Sequence, residues 1–216
     1  MRMQAEQGTA EVGSIHDARR DMYRQQVLRA AEAEFAKAGF AATPMNAIAT
    51  TAGLSLATVY KVFAGKAEIW DALHTERMDA LLRHVESAER GGSTLDRLLN
   101  GVRATALFLA SKPAYLDLSL QAGGGWANSA ADGHGVQRTV WSAGLDMIAA
   151  GVESAISAGE LSGIRPRVAA GLIVSAMQVW LSDWAATGRD DDPAVVVDDM
   201  ITRVRLMLTA TRSGPE

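Results

Sequence analysis

An all-α fold is what the sequence predicts, and three observations predict it. Apolar residues recur at steps of three and four through nine segments, each segment is bounded by Gly, Pro or a capping side chain, and no segment reads as a credible strand. Composition agrees. Of 216 residues 48% are hydrophobic but only 6% aromatic, Pro is rare, and Ala and Leu dominate, a balance that favours helices and is ample for a core.

The first 16 residues carry Arg2, Glu6 and Glu11 and no apolar run, so they are expected to form a flexible arm and not a secretory signal. From residue 17 to 38, Val27, Ala30, Ala31, Phe35 and Ala38 keep helical spacing, and Gly39 ends the helix. Arg19, Arg20 and Arg24 on its early turns are placed to reach a phosphate backbone. Thr43 then suits an N-cap and Pro44 a first helical residue, because Pro lacks an N–H that a helix start leaves unpaired anyway. Met45, Ile48, Ala49 and Ala52 give this short helix an apolar face; Gly53 sits where a left-handed C-cap belongs, and Ser55 caps another helix. In that second short helix Val59, Tyr60 and Phe63 are read as inward, and Leu56, Ala57, Thr58 and Lys61 as outward. Two helices joined by a short turn containing Gly form a helix-turn-helix.

Lys66 opens a longer helix through Ile69, Trp70, Leu73, Met78, Leu81, Leu82 and Val85 that links head to body and stops at Gly91 and Gly92. Ser93 with Asp96 resembles a capping box for a helix striped by Leu95, Leu98, Leu99, Val102, Ala106 and Leu109. Pro113 starts a weaker helix with Tyr115, Leu116, Leu118 and Leu120, and residues 123–135, rich in Gly, Ala, Ser and Asp, read as a loop. Val140, Trp141, Leu145, Ile148, Val152 and Ile156 form the next helix, which ends near Gly159. Pro166 opens another, apolar nearly all round between Val168 and Trp184, as expected of a helix covered on more than one side, one cover being a second subunit. Its apolar run is too short for the roughly 20 residues that span a bilayer. Asp190, Asp191 and Asp192 before Pro193 complement the positive end of the last helix, striped by Val197, Met200, Ile201, Val204 and Leu208, before a frayed tail from Ser213.

Charge and motifs narrow the function. The net charge is −4, yet residues 18–66 hold seven basic side chains against three acidic ones, so a basic head precedes an acidic body. The absence of Cys excludes disulfides and thiolate chemistry and fits a cytoplasmic protein. His16, His74, His84 and His134 lack ligand spacing, and no nucleophile elbow or phosphate-binding glycine loop occurs. No enzyme, metal or cofactor is therefore expected.

Ala30, Ala31, Phe35, Gly39, Phe40, Thr43, Ile48, Ala49, Ala52 to Ser55, Thr58 to Tyr60, Phe63, Gly65 and Lys66 together resemble the N-terminal signature of the tetracycline-repressor (TetR) family of bacterial transcription regulators, over about 45 residues. The resemblance implies a three-helix DNA-binding domain on a larger helical body that dimerises through its last two helices and holds a small-molecule pocket. On that pattern Thr43, Tyr60 and Lys66 hold the DNA backbone, while Leu56, Ala57, Thr58 and Lys61 lie on the recognition helix. The chain departs from the family at Ala57, often Gly, and at Val62, often His or Tyr; valine cannot hydrogen-bond a phosphate, so either that contact is lost or Lys61 replaces it.

The domains expected are an arm at 1–16, a helix-turn-helix domain at 17–65 and an effector-binding and dimerisation domain at 66–212. Phe108, Tyr115, Trp126, Trp141, Met147, Met177 and Trp180 are candidates to line an effector cavity, although the same residues suit an ordinary core, and Trp180 and Trp184 equally suit a dimer contact. The resulting expectation is a ligand-responsive homodimeric repressor of a near-palindromic operator in double-stranded DNA, released by a small apolar or aromatic effector and independent of membranes. The alternative is a helical small-molecule-binding or scaffold protein whose helix-turn-helix is structural only.

Overall fold

A computed structural model describes residues 2–88, 91–121, 126 and 135–210. Among these are nine helices and no strand: α1 (Arg2–Ala42), α2 (Met45–Thr51), α3 (Leu56–Val62), α4 (Lys66–Glu86), α5 (Thr94–Ala110), α6 (Pro113–Gln121), α7 (Gly135–Ser157), α8 (Pro166–Ala186) and α9 (Pro193–Thr209). The expected loop at 123–135, apart from Trp126 and Gly135, and the expected frayed tail from Ser213 lie outside the described residues. The stretch expected as an arm is helical from Arg2 onward. α1 breaks at Gly39, whose φ of 77° and ψ of 163° are non-helical, so its regular part ends where the sequence places a stop.

Two compact units result, Met1–Leu73 and His74–Glu216. Their division falls inside α4, not at the expected 65/66 boundary. Apolar spacing runs unbroken through α4, but its early residues bury in the head: Ile69 and Leu73 are almost fully buried, and Trp70 meets Phe35 and Phe40 edge-on at 5.3 and 4.8 Å. Val27, Leu28, Ala31, Phe35, Ile48 and Val59 from the first three helices, with Phe63 just past α3, complete that core.

In the second unit α7 packs along α8, and α9 packs on both α5 and α8. Leu99, Leu116, Val152, Ile173, Leu181, Met200 and Leu208 are fully or almost fully buried there. The capping box of α5 is present, Ser93 Oγ accepting from Asp96 N and Asp96 Oδ2 from Ser93 N. Pro166 and Pro193 occupy first turns as expected, with Asp192 Oδ1 accepting from Ala194 N at 2.8 Å. The whole of α8, longer than the apolar run read from the sequence, is long and apolar enough to cross a membrane, but Ala169, Ala170, Ile173, Val174, Met177, Leu181 and Trp184 are buried within the unit, as in a core helix.

Candidate nucleic-acid interface

The site begins at the end of α1. Thr43, expected to cap α2, is 1% exposed, and its hydroxyl donates back to Gly39 O at 2.8 Å and Glu34 O at 3.2 Å. Gly39 O also accepts from Thr43 N at 3.3 Å, so the hydroxyl reinforces a bond already made where α1 ends. With its hydroxyl turned inward Thr43 makes no side-chain cap, and Pro44, in extended conformation at ψ 152°, is the N-cap instead of the first helical residue. The same burial removes the Thr43 hydroxyl from the surface where a phosphate would sit.

α2 closes as the sequence predicts. Gly53 adopts φ 66°, its N–H bonds Thr50 O at 3.0 Å, and Leu54 N bonds Ala49 O at 3.0 Å, the pairing of a left-handed helix end. Ser55 then caps α3: its Oγ accepts from Thr58 N at 3.1 Å and shares a hydrogen bond with Thr58 Oγ1 at 2.8 Å. The Thr58 hydroxyl, expected to face DNA, is thereby engaged within the cap. Glu34 ties α1 to this pair of helices, accepting from Lys37 and from Thr51 Oγ1, both at 2.8 Å, and these two donors hold its carboxyl below the usual range.

α3 buries Val59 and Val62, followed by Phe63, at steps of three and four. Its other face exposes Leu56 (36%), Ala57, Tyr60 (50%) and Lys61. Two expectations change. Tyr60 points out instead of in, and Val62, where the resemblance suggests a missing polar contact, belongs to the core at 8% exposure. Lys66 turns toward α1: Nζ donates to Ala41 O and Thr43 O, both at 2.9 Å, and lies 4.8 Å from the centre of the Phe40 ring. Two of its three donors thus cap the end of α1, where positive charge is favoured.

Beside α3 an open groove of about 360 Å³ is lined by Asp17, Arg20, Asp21, Arg24, Val62 and Glu68. Arg24 lies 4.9 Å over the Phe63 ring, and Glu68 Oε2 accepts from Ala64 N at 2.6 Å, while Arg19 and Arg20 are exposed. The acidic members make this groove a mixed-charge surface, which the tally of basic residues did not reveal.

In the second unit the candidate effector residues separate. Phe108 (5%), Tyr115 (7%), Trp126 (3%) and Met177 (3%) are buried, and Trp126 packs on half-buried Trp141 at 5.1 Å. Trp126 is fixed by its indole N–H on Ser119 O at 3.1 Å and its backbone N–H on Gln178 Oε1 at 2.7 Å. Two imidazoles of α4 join the set: His74 meets Tyr115 edge-on at 5.7 Å, and His84 lies 5.8 Å from Phe108. Met147, by contrast, is 59% exposed, and the Trp180 indole donates to Asp199 on α9 at 3.1 Å, so neither sits with the buried group. The last two helices also carry exposed apolar side chains, Val168, Leu172 and Val179 on α8 and Val195, Leu206 and Met207 on α9. Val168, Leu172 and Val179 fall on one line along their helix, a pattern available from their spacing but masked by a segment apolar on every side.

A family model for the N-terminal domain of "Bacterial regulatory proteins, tetR family" matches residues 27–73. No curated protein sequence matches the chain. Among solved structures, the fatty acid degradation regulator FadR from Bacillus halodurans is similar at TM-score 0.70 and 16% identity, over 85% of this chain and 94% of that one. FadR from Bacillus subtilis, solved with stearoyl-CoA, is similar at 0.67 and 18%, over 83% and 96%. AibR, solved with isovaleryl coenzyme A and operator DNA, is similar at 0.66 and 18%, over 84% and 97%. At these identities the likeness carries the fold.

Proposed function

We propose, from the premise that the chain belongs through residues 27–73 to the tetR family of bacterial regulatory proteins, that it is a cytoplasmic, homodimeric transcriptional repressor of a near-palindromic operator. One observation carries the reading. A short helix held by a fixed glycine turn and a serine cap presents Leu56, Ala57, Tyr60 and Lys61 to solvent, the arrangement in which a helix enters a major groove. Tyr60 and Lys61 supply the hydroxyl and cation suited to phosphate, Arg19 and Arg20 add charge from α1, and Lys66 positions the helices from behind.

The exposed lines on α8 and α9 support pairing of two copies through these helices, and a two-fold dimer reads a site of matching symmetry. Phe108, Tyr115, Trp126, Trp141 and Met177 remain the effector-lining set; Met147 and Trp180 leave it. That stearoyl-CoA and isovaleryl coenzyme A accompany two similar structures makes an acyl thioester the first effector class to test. An effector acts only through its different affinity for the DNA-bound and free conformations, and a coupling of roughly 1–3 kcal/mol changes operator affinity about 5- to 150-fold. Nothing in this scheme requires catalysis.

Fluorescence anisotropy with duplex from immediately upstream of the protein's own gene, repeated across salt concentrations, tests the reading. Specific binding that weakens steeply with salt is expected. Equal, weak binding to every duplex would sink it and favour the helical scaffold alternative.

A further inference from the structure

The outward face of α3 says what kind of sequence it reads. Reading a base edge by hydrogen bonds takes a side chain such as Arg, Lys, Asn, Gln, Glu or Asp, and α3 has one such group, Lys61. The first outward positions hold Leu56 and Ala57, both exposed, and the only hydroxyl of the first turn, Thr58, is engaged with Ser55 at 2.8 Å. Leu56 and Tyr60 form one column along the helix, and Ala57 and Lys61 another, since residues four apart lie one above the other. The face therefore leads with hydrocarbon and ends in a hydroxyl and a cation.

Leu56, at the head of a seven-residue helix, keeps 36% of its surface exposed to solvent. The one apolar feature of a major groove is the thymine 5-methyl group, and small apolar side chains are what meet it. Lys61 on this face and the exposed Arg19 and Arg20 on α1 favour a polyanion over an apolar protein surface. On these grounds we infer that the half-site is read chiefly through thymine methyl groups, packed against Leu56 and Ala57, with Lys61 on a flanking guanine or phosphate. This rests on the proposal that α3 enters a major groove.

Influence on sequence preference then does not follow side-chain polarity. Leu56 and Ala57 determine sequence preference, Lys61 tunes it, and Thr58 acts on the shape of the first turn.

The test uses the full-length protein and a random-sequence duplex pool. Bound duplexes are enriched, the selected site is resynthesised with deoxyuridine in place of thymidine, and affinities of both forms are compared at fixed salt. Removing each contacted methyl should weaken binding about fourfold, equivalent to about 0.8 kcal/mol for one buried methyl. Leu56→Ala and Ala57→Gly should bind the thymidine duplex more weakly and lose part of the difference between the two duplexes, with unchanged salt slopes. Equal affinity for both duplexes would overturn the inference while leaving the regulator reading intact. A uridine effect that persists undiminished in both variants would overturn it too, since it would then arise from DNA shape. Failure to enrich any duplex would remove the DNA-reading premise itself, and this inference with it. Because both side chains are exposed, circular dichroism of the variants should match the parent.

Discussion

Thr43 and Lys66, which the resemblance puts on the DNA backbone, both converge on the end of α1. Thr43 Oγ1 donates to the carbonyls of Gly39 and Glu34, and Lys66 Nζ to those of Ala41 and Thr43. Thr43→Val keeps the shape and removes the donor, so it should lower stability by about 1–2 kcal/mol, read as a lower urea midpoint with an unchanged slope. Lys66→Met should cost about 1–3 kcal/mol by the same measurement and leave the slope of log affinity against log salt unaltered. A slope lower by about one contact would place the third Lys66 donor on a phosphate after all. These roles were not legible because a threonine hydroxyl between two helices serves equally well as the end of one or the start of the next. Tyr60 changed sides for a related reason: each residue turns a helix by about 100°, and seven residues offer too few positions to fix the phase.

At the scale of elements the punctuation was legible and the distant supports were not. Gly53 and Ser55 end and start helices as their chemistry dictates. Gly53→Ala meets no atom within 4 Å, so its cost is conformational alone, about 1 kcal/mol from the left-handed φ, measurable as a lower urea midpoint. The capping box of α5 could be read from Ser93 and Asp96, but the second carboxylate at that helix start could not. Glu160 accepts from Leu95 N at 2.7 Å and Thr94 N at 2.9 Å, across more than sixty residues of sequence. Those backbone donors hold Glu160 below the usual carboxylate range; the Ser93 backbone N–H, followed by Arg205, does the same for Asp96. A carboxyl depressed in the folded state contributes stability that is complete above its unfolded-state pKa and is lost as pH falls through its lower folded value. Stability should therefore fall as pH drops below the ordinary carboxylate range, and Glu160→Gln should be less stable at neutral pH and show a shallower acid decline. Urea midpoints from pH 7 to pH 3 decide this; identical pH profiles for the two proteins would refute the role given to Glu160.

For the whole molecule, periodicity was enough to predict the nine helices found among the described residues, while the cover for each face depends on pairings that spacing does not encode. α4 illustrates the limit: one continuous stripe serves two units, with Ile69, Trp70 and Leu73 in the head core and His74 beside Tyr115 in the next unit. α8 illustrates it again, because its inner face packs in its own unit while Val168, Leu172 and Val179 remain exposed. On α9, which packs against α8, Leu206 and Val195 are likewise exposed, at 63% and 65%. Such side chains on adjoining helices are accounted for if a second copy covers them, and a surface of this kind marks an interaction site. Replacing Val179 and Leu206 with Glu would place uncompensated carboxylates at the contact, each costing about 3 kcal/mol or more if desolvated. Self-association should then weaken at least ~100-fold, since each 1.4 kcal/mol is a factor of ten. Sedimentation velocity should show the parent as a dimer and the double variant as a monomer with unchanged helical circular dichroism. Operator binding by the variant should lose its dependence on the second half-site: a palindrome and a single half-site should be bound alike, where the parent prefers the palindrome. A double variant that remains dimeric and still prefers the palindrome would move the dimer contact away from α8 and α9.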